Sequence, residues 1–505
     1  MTSIKTHDSV LCEKGLVIKL DHIRAKIPDI KKFNKFIKIF TVKENIKFRK
    51  NNTFCREKIL KAYQTIDGYI ILPSIRYDLL RSAGIISSTN ITQLYEPKPI
   101  TNNTEMTIEL YDYQIACIDH ILETKIVNNR GTVYFQLGTG LGKTSTSIGL
   151  LTRLKLKTLV IVPSSKDLQG QWIDELAEKA PGLKTLAYNN KMKDSCLEDP
   201  YDVIVIVVNT FCKKNVDFIE KAKFGLVIID EAHEFCSTVF SRSLWLIQAI
   251  PCVFGMSATP HVRKDELDHF VDQFLGTPLE ADKVPGVNIN KERFYGRITK
   301  IDYAGHPDYC DIVLNDNGDT NNALTLRKVV SDPNRIQLII KELRALYNDE
   351  ANHGIFVFAE HRDYLILLRD RLFQEFGEES ILEAYDSINT SDLNIQVLRG
   401  GASKDLVQHV RKEGARIVLT TYGYSRRGID LPNMTAMILV TPRRSGLMQV
   451  LGRITRKRSD LKKVRHVIDI VDCATIYKNQ FYERKQVYDI KEWPITKRSI
   501  CYDDV

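Results

Sequence analysis

Two adjacent carboxylates, Asp230 and Glu231, stand directly after the apolar run Leu226-Val227-Ile228-Ile229. A short β-branched run of this kind predicts a buried strand, so both acids should lie at its carboxyl end. Open parallel sheets bind their ligands at that edge. One acid there can hold a divalent cation on a phosphate chain while the other takes the proton of an attacking water. The pair indicates nucleotide hydrolysis, although an ordinary charged strand end has the same pattern.

A glycine-rich loop offers the second half of such a site. It reads Gly138-Thr139-Gly140-Leu141-Gly142-Lys143-Thr144, between a predicted strand and a helical pattern. Glycines let the backbone wrap a phosphate chain, and the following helix directs N–H groups and its positive end at the anion. Lys143 would reach the β- and γ-phosphates, and the Thr144 hydroxyl would ligate Mg²⁺ opposite Asp230. A glycine turn that only caps the helix is the alternative, since the strict phosphate-loop pattern has glycine where this chain has Leu137.

Two arginines in the second half of the chain could complete this chemistry. Arg453 and Arg456 belong to the run Gln449-Val450-Leu451-Gly452-Arg453-Ile454-Thr455-Arg456 and would share one face of a predicted helix. Guanidinium groups can stabilise the charge of a transferring phosphoryl group. A basic helix that binds a nucleic-acid backbone is the alternative. If arginines and phosphate loop lie on different lobes, lobe closure becomes a condition of hydrolysis, which is the physical basis of a motor.

Two stretches of the chain alternate short β-branched runs with helical patterns, which predicts parallel sheets covered by helices. We expect an α/β fold with two tandem parallel-sheet lobes behind a basic N-terminal module. The expected segments are an N-terminal module at 1–105, a first lobe at 106–285, a connecting segment with its own strands or hairpin at 286–332, a second lobe at 333–480 and a tail at 481–505. The strands are expected near Thr132 to Phe135, Thr158 to Val162, Val203 to Val208, Leu226 to Ile229, Val253 to Ser257, Gly354 to Phe358, Arg416 to Thr420, Ala436 to Val440 and His466 to Ile470.

The net charge of +9 is located entirely at the N-terminus. Residues 1–60 hold 15 Lys and Arg against 6 Asp and Glu, whereas the remainder holds 57 of each. The densest part, Lys31 to Lys38, interleaves lysines with Phe33 and Phe36. It predicts either an electrostatic and stacking surface for nucleic acid or the solvated face of an amphipathic helix.

The bulk composition favours a cytoplasmic globular protein that is neither secreted nor in a membrane. The hydrophobic fraction is 43%, no apolar run exceeds the length of a strand, and the N-terminus lacks the apolar core of a signal peptide. The 10 cysteines show no paired spacing and no partnered histidines. This argues against a zinc site or a disulfide framework and for a reducing compartment.

Taken together, the motifs resemble those of superfamily 2 helicases of the DEAH type. These families commonly read T-G-x-G-K-T at the phosphate loop, which accounts for Leu137. The resemblance covers residues 106–475 and is closer to helicases of large cytoplasmic DNA viruses, of the asfarvirus type and the poxvirus transcript-release type, than to a phage recombination helicase. The matching stretches are Thr139 to Thr144, Gln171-Trp172-Ile173-Asp174-Glu175-Leu176, Asp230 to His233, Ser257-Ala258-Thr259, Thr421-Tyr422-Gly423-Tyr424-Ser425-Arg426-Arg427-Gly428-Ile429 and Gln449 to Arg456.

The resemblance implies two RecA-like lobes that use ATP with Mg²⁺, and it implies a role for each matching residue. The catalytic residues would be Lys143, Glu231, Arg453 and Arg456. The nucleotide-binding residues would be Gln114 as the adenine reader, Gly138, Thr139, Gly140, Leu141, Gly142, Lys143, Thr144, Asp230, Gly428 and, less firmly because viral relatives need not keep it, Asp430. Coupling would use His233, Ser257, Thr259 and Gln449, with strand capping as the alternative for His233. The nucleic-acid backbone would contact Pro163, Ser164, Thr210, Gly400 and Thr421.

The function implied is an ATP-driven DNA translocase that separates strands 3′→5′. It would act in viral transcript release or DNA processing, with a viral RNA polymerase as a partner, in the host cytoplasm and packaged in the virion. DNA is favoured because Val162-Pro163-Ser164-Ser165 followed by Gln171-Trp172 resembles DNA translocases, and the P-T-R-E-L-A run of DEAD-box RNA helicases is absent. The alternatives are a duplex translocase, an RNA remodeller, or an idle nucleic-acid scaffold, which would have no need for an intact set of hydrolytic residues.

Overall fold

The computed structural model describes residues 7–45, 57–92, 94–163, 166–261, 263, 265–289, 294–349, 352, 354–376, 395–400, 402–425, 431, 433–443, 446–455 and 463–505. They belong to two compact units, residues 1–289 and residues 290–505. Among the described residues, no helix combines the length and the apolar character needed to cross a bilayer.

A small sheet of five strands opens the first unit. Its order is β5-β6-β2-β1-β7, and β7 is parallel to its neighbour β1 while the other pairs are antiparallel. Strands β3 and β4 form a separate antiparallel pair. The elements are β1 (Ser9–Cys12), β2 (Gly15–Lys19), α1 (Leu20–Lys26), α2 (Ile30–Ile39), β3 (Thr41–Lys43), β4 (Ile59–Lys61), β5 (Gln64–Ile66), β6 (Tyr69–Leu72), α3 (Arg76–Ser82) and β7 (Thr89–Ile91).

Helix α2 carries the densest positive charge of the chain on one face only. It begins after Asp29, whose carboxylate accepts hydrogen bonds from the backbone N–H groups of Lys31 and Lys32. Phe33 and Phe36 are both 8% exposed and lie in the hydrophobic core, because residues three and four apart share a helix face. The stacking surface predicted from these two rings is therefore wrong. The lysines of the helix lie on the exposed side: Lys31, Lys32, Lys35 and Lys38.

A parallel sheet of seven strands forms the body of the first unit, in the order β10-β11-β9-β12-β13-β8-β14. Its central strands are continuous apolar runs, as expected for a sheet covered by helices on both faces. The elements are α4 (Asp112–Thr124), β8 (Gly131–Gln136), α5 (Lys143–Leu154), β9 (Thr158–Val162), α6 (Lys166–Lys179), β10 (Thr185–Tyr188), β11 (Val203–Val207), α7 (Val208–Phe211), α8 (Val216–Ala222), β12 (Leu226–Ile229), α9 (Ser241–Leu246), β13 (Cys252–Ser257), α10 (His269–Leu275) and β14 (Leu279–Glu280).

The N-terminal sheet packs on this parallel sheet and shares its core. The Tyr95 hydroxyl donates a buried hydrogen bond to the Phe224 carbonyl over 2.7 Å. Arg76, at the start of α3, donates to the Asp272 carbonyl in α10 over 2.8 Å. One hydrophobic cluster contains residues of both sheets, including Leu16 of β2 and Ile229 of β12. Residues 1–105 therefore have a sheet of their own without forming a separate body.

The second unit is a second parallel sheet of seven strands, in the order β17-β18-β16-β19-β20-β15-β21. The predicted fold class of two tandem parallel-sheet lobes is confirmed. The elements are β15 (Gly296–Ala304), α11 (Pro307–Cys310), α12 (Asn322–Val330), α13 (Pro333–Asn348), β16 (Ile355–Ala359), α14 (Arg362–Phe376), β17 (Ile395–Leu398), α15 (Lys404–Glu413), β18 (Ile417–Thr421), α16 (Tyr422–Ser425), β19 (Ala436–Leu439), α17 (Leu447–Leu451), β20 (Arg465–Asp472), α18 (Gln480–Ile490) and β21 (Ile495–Cys501).

Two predicted segment boundaries need correction in this unit. The expected connecting segment, 286–332, contains β15, which lies inside the second sheet between β20 and β21. The expected tail, 481–505, contains β21, the edge strand of the same sheet. Both strands leave several side chains exposed or half-buried, so neither shows the unbroken apolar run by which the other strands were predicted. Buried ion pairs join β20 to flanking helices, Arg335 with Asp472 at 2.6 Å and Arg484 with Asp469 at 2.8 Å.

Candidate active site

The strand order brings three functional loops to one edge of the first sheet. Strands β12, β13 and β8 are neighbours, and all of them are parallel. Their carboxyl ends therefore lie side by side. Asp230 follows β12, Ser257 ends β13, and the glycine loop follows β8. This arrangement explains why residues far apart in sequence meet.

The glycine loop is shaped by two residues with positive φ. Gly140 has φ +78° and Gly142 has φ +76°, in the left-handed region that glycine adopts without strain. A Cβ atom at Gly142 would also lie 2.4 Å from Nε2 of Gln114. Leu137, at the position of the missing outer glycine, is buried in the core. The loop conformation thus depends on the inner glycines, and Leu137 contributes packing.

Gln114 supports the loop from helix α4. Its Nε2 donates to the carbonyls of Leu141 at 3.2 Å and Gly142 at 3.3 Å, and its Oε1 accepts from the backbone N–H of Tyr111 at 3.0 Å. The Tyr113 hydroxyl donates to the Leu141 carbonyl at 2.7 Å. Both ends of the Gln114 amide are thus bonded to the protein. Adenine recognition by Gln114 stays a prediction, and its contact with the loop was not anticipated.

Lys143 and Glu231 form an ion pair across the edge of the sheet. Nζ of Lys143 lies 2.8 Å from Oε1 of Glu231, and both side chains are mostly buried. Glu231 itself has φ +46°, an uncommon left-handed conformation for a non-glycine residue. Such strain is found where the surrounding structure fixes a functional side chain. The lysine expected at the phosphates and the carboxylate expected at the water therefore occupy one site.

Asp230 is held by two hydrogen bonds in a buried position. Its Oδ2 accepts from the Trp172 indole N–H at 3.0 Å, and its Oδ1 accepts from the backbone N–H of Glu231 at 2.9 Å. Burial, and then the neighbouring Glu231 charge, raise the pKa of Asp230 to about 6, while Lys143 and the indole N–H act in the opposite direction. The role of Trp172 was missed from the sequence; the available signal is that a buried indole N–H needs an acceptor.

A chain of polar contacts leads from Glu231 to the end of β13. His233 Nδ1 lies 2.8 Å from the Ser257 hydroxyl and 3.4 Å from Oε2 of Glu231. The same hydroxyl accepts from the backbone N–H of Thr259 at 3.0 Å. Burial lowers the pKa of His233, and the charge of Glu231 offsets part of this effect. His233 thus lies between Glu231 and the end of β13, and its predicted role as a relay stays a prediction.

The donor set suits a nucleotide phosphate chain with Mg²⁺. Hard cations of this size prefer carboxylate, hydroxyl and water oxygens, which Asp230 and Thr144 can offer. The hydroxyl oxygen of Thr139, within the loop, is buried and has no hydrogen-bond partner among the described residues. An acceptor or donor from a bound phosphate would satisfy it, since buried polar groups normally have partners. These residues therefore fit the group that the motifs imply.

In the second unit, the predicted arginine helix is shorter than expected. Helix α17 ends at Leu451, Gly452 follows it, and Arg453 lies in the next turn with 8% exposure. Glycine disfavours helix continuation, which explains the early end. Gln449 lies within the helix. Arg456, Gly428, Asp430 and, in the first unit, Ser164 lie outside the described residues, so their predicted roles stay predictions.

The predicted nucleic-acid contacts of the first unit lie after two neighbouring strands. Pro163 directly follows β9, and Thr210 lies in α7, which follows β11. Thr210 is only 4% exposed, whereas the adjacent Asn209 is exposed. The Thr210 hydroxyl is therefore not presented at the surface, and contact there would fall to its neighbour.

The second unit repeats this arrangement with different residues. Gly400 follows β17, and Thr421 ends the neighbouring strand β18. A Cβ atom at Gly400 would lie 2.7 Å from a terminal nitrogen of the Arg362 guanidinium. Arg362 is exposed and was not selected from the sequence. A backbone glycine beside a guanidinium suits a phosphate contact without base readout.

Two parallel-sheet lobes, with a phosphate loop that faces paired carboxylates, define a nucleotide-hydrolysing helicase core. The family described as "Type III restriction enzyme, res subunit" matches residues 107–262. A protein of African swine fever virus (isolate Tick/Malawi/Lil 20-1/1983), QP509L, named provisionally as an ATP-dependent RNA helicase, is 34% identical over 98% of this chain and 94% of its own length. The protein of the same name from strain Badajoz 1971 Vero-adapted is 37% identical over 81% of this chain and 79% of its own length.

The chain belongs to this family of superfamily 2 helicases of large DNA viruses, and it is an ATP-hydrolysing enzyme. Transcript termination protein A18 of vaccinia virus (strain Tian Tan) is 22% identical over 79% of this chain and 77% of its own length. The solved structure of S. cerevisiae Dbp5 bound to RNA and ADP BeF3 has the same fold, with a TM-score of 0.51 and 14% identity over 78% of this chain and 90% of that chain. The predicted resemblance and the RecA-like lobes are confirmed.

Proposed function

We propose that this helicase is a DNA translocase that moves 3′→5′ and releases transcripts from a viral RNA polymerase. The observation that carries the hydrolytic part is the continuous path from Lys143 through Glu231 and His233 to Ser257. A site that only binds nucleotide has no need to connect its carboxylate to a neighbouring strand end. A nucleic-acid scaffold needs neither the nucleotide site nor this connection.

Each residue of the path has a distinct task. Lys143 would bind the phosphate chain as a point charge at the start of α5. Asp230 and Thr144 would hold Mg²⁺, which when bound supplies positive charge next to the phosphates. Glu231 would orient the attacking water and accept its proton at a carboxylate oxygen. Arg453, with Arg456, would stabilise charge on the transferring group.

His233 and Ser257 would transmit the state of this site to the segment after β13. A change in the position of the Glu231 carboxylate alters its contact with His233, which shares the Ser257 hydroxyl with the Thr259 backbone. The Thr259 hydroxyl is buried without a partner among the described residues, so it can gain a hydrogen bond when that segment moves. Hydrolysis and movement would be joined there.

Some observations favour DNA as the substrate, and another favours RNA. The residues after β9 and on α6 resemble those of DNA translocases, and a relative is named as a transcript termination protein. The African swine fever virus relatives are named for RNA, which favours an RNA remodeller as the second candidate. Because the proposed partner is a viral RNA polymerase, we propose that the enzyme acts in the host cytoplasm and is packaged in the virion.

The deciding experiment measures ATPase and strand displacement together. Substrates are DNA duplexes, RNA duplexes and hybrids, each with either a 3′ or a 5′ single-stranded tail. Displacement of DNA duplexes with 3′ tails, together with DNA-stimulated ATPase, is the expected result. Activity confined to RNA would replace the proposal with the second candidate, and an ATPase rate that no nucleic acid changes would remove the motor altogether.

Two variants make this experiment specific to the site. Glu231→Gln removes the proton acceptor and keeps the shape, so ATP should still bind while turnover falls by at least about 10²-fold. Lys143→Ala removes the charge that contacts the phosphates, so ATP binding itself should weaken. Fluorescent nucleotide binding separates the two effects, and normal turnover in either variant would contradict the assigned roles.

A further inference from the structure

Two histidines and an aspartate converge on the surface of the first unit, outside the nucleotide site. His261 follows β13 by four residues, and His269 and Asp272 lie three apart at the start of α10. Nε2 of His261 is 2.9 Å from Oδ2 of Asp272, and Nδ1 of His269 is 3.2 Å from the same oxygen. The two imidazole rings lie with their centroids 4.3 Å apart and their planes tilted by 33°.

Two of the three ligand separations are close to those of a tetrahedral metal site, and the third is no longer than 4.8 Å. One ligand atom from each residue lies within 4.8 Å of the other two. Zinc bonds of about 2.0–2.2 Å place neighbouring tetrahedral ligands about 3.3–3.6 Å apart. The observed separations of 2.9 and 3.2 Å are already close to that value. Little movement of these side chains is needed to accept an ion.

We propose that His261, His269 and Asp272 bind a Zn²⁺-type transition metal ion, with a fourth position open to water. Imidazole nitrogens select such ions over Mg²⁺ and Ca²⁺, which prefer oxygen ligands. The histidine side chains are 38% and 48% exposed, so an ion can enter from solvent. The expectation of no zinc site rested on cysteine spacing, whereas the relevant signal is the spacing His-x7-His-x2-Asp.

The surrounding charges leave the carboxylate available. Arg76 approaches Asp272 from α3, and its guanidinium donates its hydrogen bonds to the main-chain carbonyls of Asp272 and Gln273. Arg263, two residues after His261, donates hydrogen bonds to the carboxylate of Asp265. The Asp272 carboxylate therefore faces the two imidazoles. A metal ion would replace these hydrogen bonds with coordination bonds to all three side chains.

The position of the site gives the ion a structural consequence. His261 follows Thr259 by two residues, and Asp272 belongs to α10, which Arg76 of α3 contacts by a hydrogen bond. A bound ion would fix the segment after β13 against α10. Binding itself is independent of the proposed DNA activity and can be measured without it.

The test is a Zn²⁺ titration of the full chain against a chromophoric competing chelator. One equivalent should bind, and His261→Ala, His269→Ala and Asp272→Asn should each weaken it at least about tenfold, since loss of even an outer-shell partner costs 10–100-fold. The control is His120→Ala, a half-buried histidine on α4 of the same unit. Zn²⁺ should also raise the melting temperature of the wild type more than that of the three variants, because it binds the folded state. Equal Zn²⁺ affinity in the wild type and the three variants, or no binding in the wild type, would overturn the proposal.

Discussion

Removal of the indole N–H at Trp172 should raise the Mg²⁺ concentration that the ATPase requires at acidic pH. Trp172→Phe keeps an aromatic, though smaller, side chain in a position that is 2% exposed, and it deletes the hydrogen bond to Oδ2 of Asp230. This bond stabilises the ionised carboxylate. Its loss should raise the pKa of Asp230 further above the value of about 6 that burial and Glu231 already give it.

The size of the effect follows from the strength of the bond. A hydrogen bond to a charged group contributes about 1.5–3 kcal/mol, which corresponds to roughly one to two pKa units. The ionised fraction of Asp230 at pH 6 would fall from about one half to about 1–10%. Because the metal needs the ionised carboxylate, apparent Mg²⁺ affinity should fall about 5- to 50-fold at pH 6 and should be restored near pH 9.

The assay is the Mg²⁺ concentration for half-maximal ATPase, measured from pH 6 to pH 9. Trp245→Phe is the matched control, since Trp245 packs edge-on against Phe274 at 4.9 Å, whereas the described donors to the Asp230 carboxylate are Trp172 and the backbone of Glu231. An unchanged Mg²⁺ requirement in Trp172→Phe at pH 6, or an equal shift in the control, would refute the reasoning.

Three further outcomes are expected. Ser257→Ala deletes the hydroxyl shared by His233 and Thr259. Base pairs separated per ATP should fall by about 5-fold if one hydrogen bond of about 1 kcal/mol contributes to coupling and by about 30-fold if both do; an equal loss of ATPase would contradict a coupling role. Replacement of the exposed lysines of α2 by glutamine should reduce the slope of log affinity for nucleic acid against log salt concentration by up to about 0.9 per lost phosphate contact. An unchanged slope would show that these lysines do not bind nucleic acid. Burial, with the charge of Arg297, lowers the pKa of His466 to about 4. The folded state therefore binds this proton less tightly than the unfolded state, so the free energy of unfolding should increase as the pH rises from about 4 to about 6.5. Urea midpoints of His466→Gln should show a smaller increase over the same pH range.

The sequence predicts the central strands well, because they are continuous apolar runs. The strands at Thr158–Val162 and Leu226–Ile229 have the expected bounds. Each is buried on both faces, so every residue carries the same signal. The chemistry at their carboxyl ends could be inferred because acids, glycines and lysine are unusual directly after such runs.

The less apolar strands, the long-range contacts and the buried face of α2 depend on tertiary packing, which no local sequence pattern contains. Strands β15 and β21 carry exposed side chains, so they resemble a loop and a tail until the sheet order is known. The hydrogen bond from Trp172 to Asp230 joins residues 58 positions apart, and the His261 site joins a loop to a helix. Phe33 and Phe36 were interpreted as a stacking surface because alternation with lysine does not reveal which side of the helix meets the core.

The burial of those two phenylalanines has a mechanical consequence. Phe33 and Phe36 belong to the same hydrophobic cluster as Val227 and Ile229, directly before the paired carboxylates. Close-packed interiors have low compressibility. Helix α2 is thus joined to the catalytic strand by side-chain packing within one hydrophobic cluster. If nucleic acid binds the lysines of α2, tension on it acts on the body that hydrolyses ATP, and the rate of hydrolysis should depend on load.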